Sequence, residues 1–485
     1  MSPNDLITIL PLLVLAGGIV LIMLVLTVLR NHALTMVLAV LTLAIATATL
    51  PVSPSIQSRQ ITPLLVFDSY AMLYMIMVFG AAIVVCVLSY GYMSGRQNIK
   101  EEFYILILMA ALGCGVIVAA SHFVSFFLGL ELLSVSLYVL VAYLRAQPIH
   151  IEAGIKYLIP AATSVAFLLM GAAFIYAYCG SMNFSEIVFS PAYASTARSP
   201  LLLVGIAMVV VGIGFKLALV PFHLWTPDVY EGAPAPVAGF IATASKGAIF
   251  ALLLRYFTVV NIYDCRSLFV VFVILAIITM FFGNLLALLQ NNVKRILAYS
   301  SIAHMGYLLT ALLAGGKWAA VAVTLYLLTY FVTTLGAFGV ITILSSKEKD
   351  FDMLDNYRGL VFQHPVLVAV FTGFLLSLAG IPLTAGFIGK FYIFSANVDA
   401  SMWLLLAALV INSVIGLFYY LRIIVTLYKP TEEPQAALVS QFRPAPSFSF
   451  AGGLVLAMLM LFLLWIGVYP SPFIDLVRDM VSGLI

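Results

Sequence analysis

Apolar residues in this chain run in long, unbroken blocks; they do not alternate with polar ones. Fourteen blocks approach or exceed the ~20 residues a helix needs to cross a bilayer. They fall at about 5–29, 33–50, 68–90, 102–120, 122–143, 151–179, 200–225, 237–257, 268–290, 294–314, 318–344, 365–394, 402–428 and 449–470. Continuous runs of this length predict spanning helices and exclude the alternating pattern of a membrane β-barrel. Asp5 precedes the first run and no basic segment leads into it, so the run reads as a first span and not a cleaved leader. Two runs are interrupted. The seventh contains Gly212, Gly214, Lys216, Pro221 and His223, and the twelfth contains Gly380, Pro382, Gly386, Gly389 and Lys390. Proline removes a backbone hydrogen bond and clashes with the preceding turn, so both spans are expected to break. Pro160 lies within the sixth run, where the pattern suggests no distinct role.

Composition supports the same class. Of 485 residues, 64% are hydrophobic and 8% charged, against about 25% charged in a soluble domain, and the mean hydropathy is +1.17. The fold class expected is an all-α polytopic membrane protein. Net charge is +3, too weak and too scattered for a nucleic-acid binder. The four cysteines, Cys86, Cys114, Cys179 and Cys265, form no C-x-x-C pair, and no H-E-x-x-H spacing occurs, so neither an iron–sulfur cluster nor another metal site is expected.

Loop charges set the topology. Odd-numbered loops carry Arg30, Arg96, Lys100, Arg145, Lys294, Arg295, Lys347, Lys349, Arg358, Lys429 and Arg443. Even-numbered loops and the C-terminal tail carry only Arg59, Arg198, Arg266, Lys317 and Arg478. The odd loops are therefore expected in the cytoplasm and both termini outside. The longest such loop, 345–364, mixes charge signs and reads as a solvated connector.

Six cations remain inside spans. Lys156, Arg255 and Arg422 lie near expected helix ends, where snorkelling accounts for them. Lys216, Lys246 and Lys390 lie deeper, and Glu131 is the one carboxylate at the centre of a span. Each such charge costs about 2.5–3.5 kcal/mol on insertion scales. Buried ion pairs that lock helices together are the competing explanation. One glutamate cannot pair with three lysines, so at least two ammonium groups must be hydrated or give up their protons. Either state suits proton handling. His304, among the hydroxyls of Tyr299, Ser300 and Ser301, reads as a relay candidate, with His223 beside the first break as a weaker one. Gly/Pro-interrupted spans beside buried charges also mark the sites of inverted-repeat transporters. The interrupted spans are five apart, which predicts two inverted five-helix repeats. The expected division is 1–101 for spans one to three, 102–260 and 261–428 for the repeats, and 429–485 for the last span.

The stretches Gly214-Phe-Lys216-Leu-Ala-Leu-Val-Pro221-Phe-His223-Leu-Trp225-Thr-Pro227-Asp228, Thr243-Ala-Ser-Lys246, Asn292-Val-Lys294-Arg295 through His304-Met-Gly-Tyr307, and Gly380-Ile-Pro382 through Lys390-Phe resemble the antiporter-like subunits of respiratory complex I, the bacterial proton-translocating NADH:quinone oxidoreductase. The resemblance covers most of the chain. Lys390 stands where the M-type branch and the Mrp D-type antiporters usually carry Glu, and the long lateral helix of the L-type branch is not expected here, so the N-type branch is the one this chain is similar to. The resemblance implies that Glu131 and Lys216 form a charge pair, that Lys246 is the central relay, and that His304 and Lys390 pass the proton outward. Lys294, at the start of its helix, reads either as a positive-inside anchor or as a further proton group. Partners implied are the other membrane-arm subunits, with FMN, the iron–sulfur clusters and quinone chemistry outside this chain, in the inner membrane of a bacterium. A stand-alone Na⁺(K⁺)/H⁺ antiporter would use the same lysines, but sodium favours oxygen ligands, and this inventory suits protons better.

Overall fold

The computed structural model describes residues 3–51, 59–94, 96, 100–189, 200–260, 266–346, 349–430 and 450–484. Arg198, Cys265, Lys347 and Arg443 of the sequence reading lie outside them. The N-terminal group is α1 (Pro3–Val28), α2 (His32–Thr49), α3 (Ser69–Met93), α4 (Glu102–Ala119), α5 (Phe123–Val141) and α6 (Pro148–Cys179), with the short α7 (Phe184–Phe189). Next come α8 (Pro200–Leu217), α9 (Trp225–Gly232) and α10 (Ala235–Val260), the last containing one π-helical turn at Ile241–Ser245. They are followed by α11 (Arg266–Leu288), α12 (Val293–Ala314), α13 (Gly316–Leu344), α14 (Pro365–Ala379), α15 (Ala385–Asp399), α16 (Trp403–Tyr428), α17 (Phe450–Val468) and α18 (Ser471–Val481).

Thirteen of these helices are long and apolar enough to cross a membrane, counted among the described residues. The remaining expected span, 365–394, is two shorter helices, α14 and α15, because the chain breaks between them. Two small features depart from the sequence reading. A β-hairpin pairs β1 (Arg59–Thr62) with β2 (Leu65–Phe67). The expected tail after residue 470 forms α18, which buries Phe473, Ile474, Val477 and Val481 along one face. That is the i, i+3/i+4 stripe of an amphipathic helix.

Polar caps fix the helix starts. Asn31, Asp68 and Asn292 each accept from a backbone N–H three residues on, at Leu34 (3.1 Å), Ala71 (2.7 Å) and Arg295 (3.1 Å). Asp68 also corrects one expectation. Arg255 does not snorkel: its guanidinium is buried and holds Asp68 through two bonds of 2.7 and 2.9 Å, tying α10 to the start of α3. A bidentate pair satisfies both charges in place. Lys156 and Arg422 do reach exposed positions. Lys156 bonds Glu152 and Asp228, and Arg422 bonds the carbonyls of Leu288, at the end of α11, and Gln290.

The helices sort by burial. The apolar window of α10 is wholly buried and those of α12 and α13 nearly so, whereas α1, α2, α6 and α17 bury only a minority of theirs. These three helices are the most deeply buried, α3 and α4 come next, and the least buried helices turn apolar faces outward.

Candidate functional site

Each break frees carbonyls that membrane interiors do not forgive. At the first, α8 ends at Leu217, Ala218 takes a positive φ of 59°, and the chain turns through Pro221 before α9 begins. The Trp225 indole N–H donates to the carbonyl of Phe215 at 3.0 Å, and Thr279 accepts from the N–H of Val220 at 3.1 Å. The break is thus satisfied without the neighbouring lysine. Lys216 is buried and donates to Ser134 Oγ on α5 at 2.7 Å. Glu131 lies one turn before Ser134, on the same face, and is partly buried. No ion pair within 4.0 Å joins Glu131 and Lys216 among the described residues. Ser134 is the ammonium's partner in this state, and the direct pair that the resemblance implied is open.

At the second break, Gly380 caps α14 with φ 85° and Leu383 takes φ 71°. The Lys390 ammonium, partly buried, donates to the carbonyl of Ala379 at 2.9 Å. Ser377 Oγ accepts from the N–H of Gly386 at 3.0 Å, and a Cβ at Gly386 would lie 1.8 Å from the Ser377 carbonyl. Only glycine permits that approach.

Between the breaks lies a polar axis. Lys246, 1% exposed, follows the π turn of α10 and donates to Ser301 Oγ on α12 at 2.8 Å. Tyr330 on α13 donates to the same oxygen at 2.9 Å, and the Tyr230 hydroxyl is 3.4 Å from it. His304, one turn further along α12, bonds the Tyr326 hydroxyl through Nδ1 and the Tyr420 hydroxyl through Nε2, the latter at 3.1 Å. Tyr420 in turn meets Ser300. His304, Tyr330 and Lys390 line one small cavity, with about 10 Å³ available to a water's centre, about one water. The sequence itself sets Ser300 and Ser301 beside His304; Ser134 and the tyrosine partners are what its reading missed. On apolar helices tyrosines look like core, and their hydroxyls find partners only after folding. His223 is brought to the first break, buried, with neither ring nitrogen hydrogen-bonded.

Lys294 lies in the first turn of α12. It is fully buried, and its ammonium donates to the carbonyls of Glu231 and Ala233 and to Asp350 Oδ2, each at 2.7 Å. Asp350 also accepts from Arg96 at 3.0 Å and Tyr92 at 2.6 Å. Its carboxyl would rise on burial alone, yet Lys294 and Arg96 hold it well below the usual carboxylate range. The 345–364 loop is therefore not merely solvated. Its Asp350 end, with a side chain 7% exposed, latches α3, α12 and the α9–α10 junction together.

Among the described residues, no group of three His, Cys, Asp or Glu side chains is placed to hold a metal ion. Residues 120–416 match the profile of a family described as NADH:quinone oxidoreductase/Mrp antiporter, TM. The chain is 48% identical to NADH-quinone oxidoreductase subunit N of Ectopseudomonas mendocina, over 99% of this chain and 97% of that one. It superposes on a chain of respiratory complex I from Thermus thermophilus with TM-score 0.80 and 32% identity, covering 96% of this chain and 98% of that one. It is similar in fold to a chain of the Mrp complex of Dietzia, with TM-score 0.86 and 20% identity over 100% and 98% of the two.

Proposed function

This chain belongs to the NADH:quinone oxidoreductase/Mrp antiporter transmembrane family, and we propose that it acts as a proton-translocating membrane subunit of NADH:quinone oxidoreductase, coupling quinone reduction to proton transfer across the bilayer. It is a multi-pass membrane protein that works beside other membrane-arm subunits. The likeness to the Mrp chain, at 20% identity, concerns fold alone, so the antiporter reading stands second.

The observation that carries the proton reading is Lys246. It is a buried ammonium whose partner is a hydroxyl, with no carboxylate within ion-pair distance among the described residues. An uncompensated buried charge is costly, so this amine gains by passing its proton on. Ser301 and Tyr330 lie on one side, and His304 with Tyr326 and Tyr420 continues towards the Lys390 cavity. Glu131 and Lys216 form the other half. A carboxylate drawn towards the ammonium holds its proton, and one drawn away leaves only Ser134. A charge-assisted hydrogen bond is worth about 1.5–3 kcal/mol. Moving one charge against 100 mV takes about 2.3 kcal/mol. The opening and closing of one such contact is thus of the right size.

The two repeats are taken as 102–260 and 261–428, flanked by 1–101 and 429–485. Equivalent helices supporting this pack through equivalent glycines. A Cβ at Gly113 of α4 would lie 2.7 Å from backbone of α5, and one at Gly283 of α11 the same distance from backbone of α12. We assign FMN, iron–sulfur clusters and quinone chemistry to partner subunits, on the scattered cysteines of the sequence. We place the chain in a bacterial cytoplasmic membrane with both termini outward, on the loop charges. The test is native purification with partner identification and NADH-driven proton pumping. Recovery in a flavin-containing complex that pumps supports the reading. Recovery alone, with cation-for-proton exchange independent of NADH, would replace it with the antiporter.

A further inference from the structure

Most buried cations in this chain meet a carboxylate or a hydroxyl; at the end of α16, Arg422 and Lys429 make no ion pair among the described residues. An open cavity of about 380 Å³ lies between the last turns of α16, the turn at Leu354–Tyr357 and the loop after α11. Its polar lining is Asn291, Asp355, Arg358, Arg422, Thr426 and Lys429. Three cations face one carboxylate. Asp355 pairs with Arg358 at 3.0 Å. Arg422 donates to the carbonyls of Leu288 and Gln290, at 3.1 Å each, and to the Asn291 side chain. Those acceptors are neutral and leave its charge uncompensated. Lys429 is exposed and makes no ion pair among the described residues. Among the described residues lining the cavity, cations therefore outnumber carboxylates by two.

Two stripes run side by side up α16 to this cavity. Arg422, Thr426 and Lys429 recur at i, i+4 and i+7, and so do Leu421, Val425 and Tyr428, whose side chains are exposed. Residues at that spacing share a helix face. A basic recess opens directly onto an apolar strip at the edge of a spanning helix. A soluble anion would match only the recess. A lipid with an anionic head matches both, and basic pockets at the ends of spanning helices are where such heads bind.

We propose that this cavity binds the phosphate of an anionic phospholipid, with the acyl chains lying along Leu421, Val425 and Tyr428. Arg358 and Lys429 donate to the phosphate oxygens, as charge-assisted bonds to phosphate require, while Arg422 contributes field from its fixed position.

The experiment uses the purified complex in bilayer discs carrying photoactivatable phosphatidylglycerol, or phosphatidylcholine with the same chains, followed by peptide mapping. The glycerol lipid should label residues 421–429, and the choline lipid should label them far less. Arg358→Gln with Lys429→Gln should cut that labelling by roughly tenfold or more, while unchanged NADH:quinone turnover shows the complex intact. Excess inorganic phosphate should leave labelling unchanged, since the site takes the whole lipid. Four results would overturn the proposal. They are equal labelling by both lipids, labelling indifferent to the double substitution, displacement by phosphate alone, and no labelling while an amine cross-linker joins Lys429 to a partner subunit. Labelling that appears only after Glu432→Gln and Glu433→Gln would overturn it too, because the chain's own acidic segment would then occupy the cavity.

Discussion

The two helix breaks carry the same signature, glycine and proline beside a lysine, yet use the lysine differently. At the first break the carbonyl of Phe215 accepts from the Ala218 N–H and from the Trp225 indole, each at 3.0 Å, which leaves Lys216 to a side-chain partner, Ser134. At the second break Lys390 itself takes the freed carbonyl of Ala379. The first lysine can lose its proton without unmaking the backbone. The second caps a helix end, so its proton and the local fold are linked. One sequence pattern thus yields a free carrier in one half and a carrier that doubles as a backbone partner in the other.

The comparison can be attacked from its supports inward. The largest effect is expected outside both breaks, at Asp350→Asn. Breaking a buried ion pair from one side costs about 3–5 kcal/mol, because Lys294 and Arg96 keep their charges. Thermal melting of the purified complex should show this chain's transition falling sharply. The pH dependence follows the same group. Its folded carboxyl titrates below the unfolded value, about 3.9. The latch therefore contributes fully above that value and is lost as pH falls through the lower folded one. Melting of the wild type should not change on this account between about pH 8 and 5.

Gly386→Ala should come next, costing roughly 1–3 kcal/mol or more through overpacking against Ser377, read as lost assembly; a Gly17→Ala control, where a Cβ meets nothing within 4 Å, should assemble. Lys390→Met and Lys216→Met then separate the two breaks directly. The first orphans a carbonyl, worth about 1–3 kcal/mol, and should lower both melting temperature and pumping. The second should lower pumping with little change in melting. Equal melting shifts in the two variants would remove the distinction. The smallest effect is Trp225→Phe, which keeps the packing against Tyr157 and loses one bond, about 0.5–1.5 kcal/mol, since the Ala218 N–H still donates to the same carbonyl.

The spans, both breaks and the deep charges Glu131, Lys216, Lys246 and Lys390 could be read from the chain because each is a local exception to an apolar run. What stayed hidden was pairing at long range. Arg255 looked like a snorkelling side chain because Asp68 lies 187 residues away. Asp350 looked solvated because its loop is rich in charge, and only the fold brings Lys294 and Arg96 to it. Ser134 and Tyr330 carry no signal of their own, since hydroxyls in apolar helices usually bond their own backbone.

The central claim is that Lys246 passes protons through Ser301 and the tyrosine–histidine cluster. The direct test is NADH-driven proton pumping by intact complex carrying Lys246→Met, with flavin content and subunit composition checked. The account predicts a complex that assembles with its flavin and loses most pumping and the quinone reduction coupled to it. Assembled complex that pumps at the wild-type rate would contradict it.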